Sequence, residues 1–134
     1  MKNVTAQNLF VWSTSIQNTI QYMHWSTPSY SAHVAFGEAY SNISSEIDDL
    51  IEDSIGKSII SRKDFESILT VPEIKYKYVN IDTNIEILKT YKNQLENIYD
   101  SLSQLPMFVE DIKDIYHNIF NILNKLLYKL ENLK

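Results

Sequence analysis

A chain of 134 residues of which 44% are hydrophobic is long enough to bury one core, and it is expected to form a single domain spanning residues 1–134. Because it contains no cysteine, disulfides and thiolate metal sites are excluded, and any metal must be bound by His, Asp or Glu. The formal net charge of −5 opposes electrostatic attraction to nucleic acid, so DNA binding is not expected.

Residues that interrupt helices are scarce, with 2 glycines and 3 prolines in the whole chain. This scarcity favours long helices over many short strands, so the expected fold class is all-α. The N-terminal segment MKNVTAQNLFVW lacks the charged start and apolar run of a signal peptide, and no stretch approaches the roughly 18 consecutive apolar residues of a membrane span. We therefore expect a soluble cytoplasmic protein that does not contact a membrane.

The first half of the chain predicts a helical hairpin. Thr5 is a candidate N-cap, and the apolar residues after it are spaced by three and four, as on one face of a helix from about 5 to 25. A short polar stretch containing Pro28 reverses the chain. A second helix is predicted from about 30 to 55, with Gly56 as its stop signal. The apolar stripe of the first helix comprises Leu9, Trp12, Ile16, Ile20 and Met23. That of the second helix comprises Phe36, Tyr40, Ile43, Ile47 and Leu50.

The second half predicts another hairpin. Helices are expected from about 82 to 104 and from about 107 to 132, with Pro106 between them. The apolar stripe of the third helix comprises Ile85, Leu88, Leu95, Ile98 and Leu102. That of the fourth helix comprises Ile112, Ile115, Ile119, Leu126 and Leu130. Since the loop at Pro106 is short, these two helices should be antiparallel neighbours.

The connection between the two hairpins is long. Ser61 and Asp64 resemble a capping box, which predicts a short helix to about Leu69, before Pro72 interrupts the pattern. Short loops force neighbouring helices to run antiparallel, whereas a connection of about twenty residues can cross the bundle and lets the second and third helices run parallel. This connectivity is that of a ferritin-like four-helix bundle with a long crossover.

The second helix carries the candidate metal ligands. At about 100° per residue, His33, Asp48 and Glu52 share one flank of its apolar stripe. His24 lies across the short turn from His33. His33 and Asp48 are 15 positions apart (48 − 33), which is about 22 Å along a straight helix, so they cannot hold the same ion within one chain.

A two-fold axis between two copies of the chain would join the separated ligands. If two second helices pair antiparallel about residues 41–43, His24 and His33 of one copy lie beside Asp48 and Glu52 of the other, and two identical sites form. Imidazole and carboxylate ligands suit Fe(II), Mn(II) or Zn(II). The small residues that would let the helices approach closely are Gly37, Ser41 and Ser44.

The same residues resemble a known motif. His24-Trp25, His33, Asp48 and Glu52, at this spacing, resemble the ferroxidase motif of the DNA-protection-during-starvation (Dps) proteins, mini-ferritins whose iron sites lie between subunits. The resemblance is close from His24 to Glu52 and loose for the four-helix plan. It implies that the two histidines are catalytic iron ligands from one subunit, that Asp48 and Glu52 come from its partner, and that Trp25 neighbours the site.

The resemblance also implies an activity and an assembly. Fe(II) would be oxidised by O₂ or hydrogen peroxide, with Mn and Zn as alternative metals. The protein would be a homo-oligomer through its second helix, a dimer at least, and a dodecamer where a closed cage stores ferric iron.

Two features differ from the Dps pattern. The turn between the histidines is shorter, and the acidic residue that follows the second histidine in the family falls at Gly37, with Glu38 displaced by one position. The compact segment HWSTPSYSAH is similar to ferritin-like proteins encoded by tailed phages, which implies a viral origin and a location in the host cytoplasm. The alternative hypothesis is a non-enzymatic helical interaction or structural protein, phage-encoded in that case, that keeps the fold without ferroxidase activity.

Asp114 and His117 in the last predicted helix are spaced like the Glu-x-x-His pairs of larger ferritin-like di-metal proteins. Both lie on the polar side of that helix. We therefore expect them to be solvated surface residues rather than ligands.

Overall fold

The computed structural model of this protein describes residues 2–61, 63 and 80–134, and within these ranges every regular element is a helix. The prediction of an all-α chain with four long helices is confirmed. The short helix expected after Ser61 falls, apart from Lys63, outside the described residues. The four helices are α1 (Lys2–Ser26), α2 (Tyr30–Gly56), α3 (Ile81–Leu102) and α4 (Glu110–Glu131).

Two of the helices begin at side-chain caps. Ser29 precedes α2, and its hydroxyl oxygen accepts a hydrogen bond from the backbone N–H of Ala32 at 3.2 Å. Asn80 precedes α3, and its side-chain oxygen accepts from the N–H of Thr83 at 2.9 Å. Each cap satisfies one of the backbone donors that a helix start leaves without a partner, which sets where the helix begins.

The ends of the helices differ from the sequence-based prediction at three places. Thr5 is not an N-cap, because α1 already begins at Lys2. α3 ends at Leu102 and α4 begins at Glu110, so the loop between them is longer than predicted. The loop contains Phe108, which is only 4% exposed. Bringing this ring into the core requires the chain to turn inward before α4 starts.

The end of α2 depends on Ser58 rather than on Gly56. Ser58 has φ of 58°, whereas no described glycine has a positive φ. The chain then folds back, and the N–H groups of Ile59 and Ile60 donate to the carbonyl oxygen of Ser54 at 2.9 and 3.2 Å. Both isoleucines are 1% exposed. Their burial offsets the cost of a left-handed conformation at a serine.

Ion pairs between the helices show how the bundle is connected. Glu38, early in α2, pairs with Lys129, late in α4, at 2.9 Å. Asp82, at the start of α3, pairs with Lys134, just after α4, at 3.1 Å. The starts of α2 and α3 therefore lie at the same end of the bundle, and these two helices are parallel. The end of α2 and the start of α3 therefore lie at opposite ends of the bundle, as predicted.

Each helix packs extensively against two others: α1 against α2 and α3, and α4 against the same two. The core contains apolar residues from all four helices, including Ile16, Phe36, Leu88 and Ile119. Two part-buried hydrogen bonds tie α1 to α3. The indole N–H of Trp12 donates to the carbonyl oxygen of Tyr91 at 2.8 Å, and the hydroxyl groups of Thr19 and Tyr91 are 2.9 Å apart. None of the described helices is long and apolar enough to cross a membrane.

The two tryptophans provide a test of this packing. Trp12 is 3% exposed and makes one of the α1–α3 hydrogen bonds, whereas Trp25 is 65% exposed. Trp12→Phe removes a buried donor and leaves a small void, so we expect the free energy of unfolding to fall by about 1–3 kcal/mol. Trp25→Phe should change it by less than about 0.5 kcal/mol. Urea unfolding followed by circular dichroism measures both values, and equal effects would contradict the described packing.

Candidate metal centre

The end of α1 and the start of α2 are joined by two reciprocal hydrogen bonds between histidines. Nδ1 of His24 lies 2.7 Å from the carbonyl oxygen of His33, and Nδ1 of His33 lies 2.8 Å from the carbonyl oxygen of His24. A carbonyl oxygen only accepts, so both Nδ1 atoms carry the proton. In the neutral rings, both Nε2 atoms are then unprotonated and have a lone pair available to a metal ion.

The two imidazole rings are stacked on each other. Their centroids are 3.9 Å apart and their planes differ by 17°. Each Nε2 lone pair lies in the plane of its own ring, so two nearly parallel rings do not direct their lone pairs at a common point. In the observed rotamers the two rings could therefore not coordinate one ion together, and both rings are half-buried.

Gly37 provides the space for His24. A Cβ atom added at Gly37 would lie 2.8 Å from Cε1 and 3.1 Å from Nδ1 of the His24 ring. The ring is held against the glycine by its bond to His33. The glycine that departs from the Dps pattern is thus required for the close approach of α1 to α2.

This contact corrects the role expected for the small residues Gly37, Ser41 and Ser44. Gly37 was expected to face a second copy of the chain, but the space above it is filled by His24 of the same chain. The hydroxyl of Ser44 is also buried, with no hydrogen-bond partner among the described residues. Ser41 alone of the three is exposed. Of the three residues, Gly37 thus serves the α1–α2 contact within the chain.

The carboxylates lie further along α2. The side chains of Asp48, Asp49 and Glu52 are exposed. One carboxylate oxygen of each lies within 4.8 Å of one carboxylate oxygen of the other two. Among the described residues none of the three forms an ion pair. Asp49 was not among the ligands predicted from the sequence. It is exposed and its side chain reaches Asp48 and Glu52, and its spacing of three from Glu52 could have indicated this.

The histidines and the carboxylates do not meet within one chain. His33 and the carboxylates all lie on α2, which is a continuous helix from Tyr30 to Gly56. From His33 to Asp48 that helix rises by about 22 Å. The structure therefore provides two separate sets of donor atoms, as expected from the sequence.

Aromatic side chains surround the histidine pair. Trp25 is 65% exposed and meets Tyr22 edge to face, with ring centroids 6.0 Å apart. Tyr30 is 80% exposed and its ring centroid lies 6.3 Å from that of His33. Trp25 follows His24 in the chain, and the ring contact described for it is the one with Tyr22.

Asp114 and His117 take no part in the candidate centre. Both are exposed on α4, as predicted, and the ring of His117 lies 5.9 Å from that of Tyr99. His117 is the third histidine of the chain, so it provides a reference residue for tests of the other two.

The two glycines of the chain allow a matched test of the His24 contact. Gly56→Ala meets no atom within 4 Å and should stabilise the helix by up to about 1 kcal/mol. Gly37→Ala displaces the His24 ring, so the loss of its hydrogen bond and stacking should exceed the helical gain, with a net loss on the order of 1 kcal/mol. Thermal unfolding compares the two variants. Equal stabilisation by both would show that the His24 ring is not held against Gly37.

Comparison with known proteins identifies the chain only at the level of its family. No curated protein and no solved structure matches it. A family model described as a family of unknown function, DUF5856, matches residues 24–130, which include the histidine pair, the carboxylates and most of the described bundle. Because the match covers well over half of the chain, the chain belongs to the DUF5856 family.

Proposed function

We propose that two copies of this chain form Fe(II)-oxidising sites between them, in the manner of Dps proteins. The observation that carries the proposal is the reciprocal bonding of His24 and His33, since it uses both Nδ1 atoms and leaves both Nε2 atoms available as ligands. In the observed rotamers one of the two Nε2 atoms would bind a given ion, and Asp48 and Glu52 of the second copy would complete each site. Both are exposed and make no ion pair among the described residues.

The outward face of α2 supports this pairing. An antiparallel arrangement about residues 41–43 places residue 33 of one helix opposite residues 49 to 53 of the other, beside Asp48 and Glu52. At the centre of this arrangement Ser41, Asn42 and Ser45 are exposed and small, so they do not prevent contact between the two helices. Asp49 lies within reach of the same site and adds a third carboxylate to the two that the resemblance implied.

The donor set suits the chemistry of iron oxidation. Imidazole nitrogen and carboxylate oxygen both bind Fe(II), and the anionic oxygens stabilise the more highly charged Fe(III) product. Each Fe(II) ion is a substrate that gives up one electron, and O₂ or hydrogen peroxide accepts the electrons. The residues of the chain hold the ion and exclude competing ligands. Storage of the ferric product would follow where the pairs close into a cage.

Substitution of His33 by asparagine separates the ligand role from the structural role. The asparagine amide nitrogen can replace Nδ1 as the donor to the His24 carbonyl, whereas Nε2 is lost. We therefore expect His33→Asn to keep most of the stability and to lower the rate of Fe(II) oxidation about tenfold or more. Anaerobic Fe(II) titration followed by addition of oxidant measures the rate. His117→Asn, which changes an exposed histidine outside the centre, should leave it unchanged.

The carboxylates are tested in the same assay. Asp48→Asn together with Glu52→Gln should reduce both iron binding and oxidation, whereas Asp114→Asn should not. Mixing the His33→Asn chain with the carboxylate double variant should restore part of the activity, because one of the two sites in such a pair has all its ligands. Wild-type oxidation rates in every variant would rule out the proposed site.

A second candidate function is that of a helical interaction or structural protein without enzymatic activity. The observation that favours it is that the two histidines hold α1 to α2 through their own stacking and their reciprocal hydrogen bonds. This hypothesis expects His33→Asn to behave as wild type in every respect and iron to leave the melting temperature unchanged. The ferroxidase hypothesis expects Fe(II) to raise it.

A further inference from the structure

Formal charge is distributed unevenly along this chain. Between Lys2 and Glu38 there is no Asp, Glu, Lys or Arg, although 22% of the whole chain is charged. The side chains from Asn8 to Gly37, which cover most of α1 and the first two turns of α2, therefore carry no formal charge. So long a stretch without charge is unusual in a helical bundle, where the outward face is normally charged.

The uncharged region continues across the groove between α1 and α3. None of the residues that line this groove carries a charge, and amides and hydroxyls alternate with apolar side chains along it. The groove is lined by Asn8, Val11, Trp12, Ser15, Ile87, Thr90, Tyr91, Gln94, Asn97, Ile98 and Ser101. The groove between α2 and α4 is different, since Glu38, Glu46, Lys125 and Lys129 are among its lining residues.

Exposed aromatic residues extend the same surface towards the end of α1. Val11, Ser15, Tyr22 and Trp25 follow one another at spacings of three, four or seven and share one side of the helix. Tyr22 is 42% and Trp25 is 65% exposed. Tyrosine and tryptophan are the residue types that most often dominate the binding energy of protein interfaces. We call the α1–α3 groove together with Tyr22 and Trp25 the uncharged face.

We propose that the uncharged face binds the same face of a second copy of this chain. The charge distribution favours this partner: two copies of a chain with net charge −5 repel each other where carboxylates meet, and on this face no like charges are brought together. Its amides, at Asn8, Gln94 and Asn97, each supply both donors and acceptors. Such groups can pair with their own symmetry mates, as an isologous two-fold interface requires.

This interface is separate from the one proposed for iron oxidation. The iron sites need contact along the outward face of α2, whereas the uncharged face is the α1–α3 groove together with Tyr22 and Trp25. Contact through either face alone gives a dimer, and contact through both gives a larger assembly. The inference does not rest on the presence of iron.

One pair of variants tests the proposal. Asn97→Asp adds a carboxylate to the uncharged face, and the two-fold axis would bring two such carboxylates into one interface. We expect the dissociation constant for self-association to rise about tenfold or more, most strongly at low salt. Asn121→Asp makes the same change at an exposed asparagine in the α2–α4 groove and should have little effect. Sedimentation velocity over a wide range of protein concentration measures the constant.

A second pair removes an aromatic side chain rather than adding a charge. Tyr22→Ser should weaken the same association, whereas Tyr128→Ser, at a 72% exposed tyrosine on α4, should not. Circular dichroism verifies that all four variants keep their helices.

Three results would overturn the proposal: a wild-type chain that stays monomeric at every concentration, an Asn97→Asp variant that associates as the wild type does, or an Asn121→Asp variant that is the more strongly impaired. The rate of Fe(II) oxidation is measured separately in the same samples. If His33→Asn loses Fe(II) oxidation but self-associates as the wild type does, the proposed role of the uncharged face is supported. If the wild-type chain does not oxidise Fe(II), that role is not affected.

Discussion

The reciprocal hydrogen bonds between His24 and His33 are the contact on which the candidate centre depends. They hold the last turn of α1 against the first turn of α2, and they require the space that Gly37 leaves. They also determine the protonation of both rings, because each Nδ1 must donate to a carbonyl oxygen. One pair of contacts thus closes the hairpin, orients two imidazoles and decides which nitrogen of each is available.

Much of the fold could be predicted from the spacing of apolar residues. The stripes along α2, α3 and α4 recur every three or four positions, and the long connection after Gly56 indicates that α2 and α3 run parallel. The ends of the helices were less predictable, because they depend on tertiary contacts. Phe108 is buried against Tyr99 and Tyr116, with ring centroids 5.5 and 5.4 Å away, and no local pattern shows where that aromatic cluster lies.

The arrangement of the two histidine rings could not be predicted from the sequence. Spacing placed His24 near His33 and separated both from Asp48. It could not show that the two rings stack, since that depends on side-chain rotamers, or that Gly37 is covered by His24, since that depends on how closely α1 approaches α2. The resemblance to Dps proteins treated Gly37 as a missing acidic residue, whereas in the structure its lack of a side chain is what matters.

The long connection also affects the order in which the contacts of the bundle can form. The histidine pair joins residues 9 positions apart, whereas the bond from Trp12 to Tyr91 joins residues 79 positions apart. Closing a short loop costs less chain entropy than closing a long one, and helical hairpins form rapidly. The α1–α2 hairpin, with its imidazoles already oriented, can therefore form before α3 and α4 dock. The donor atoms of the histidine pair would then be organised early in folding, independently of the slower closure of the bundle.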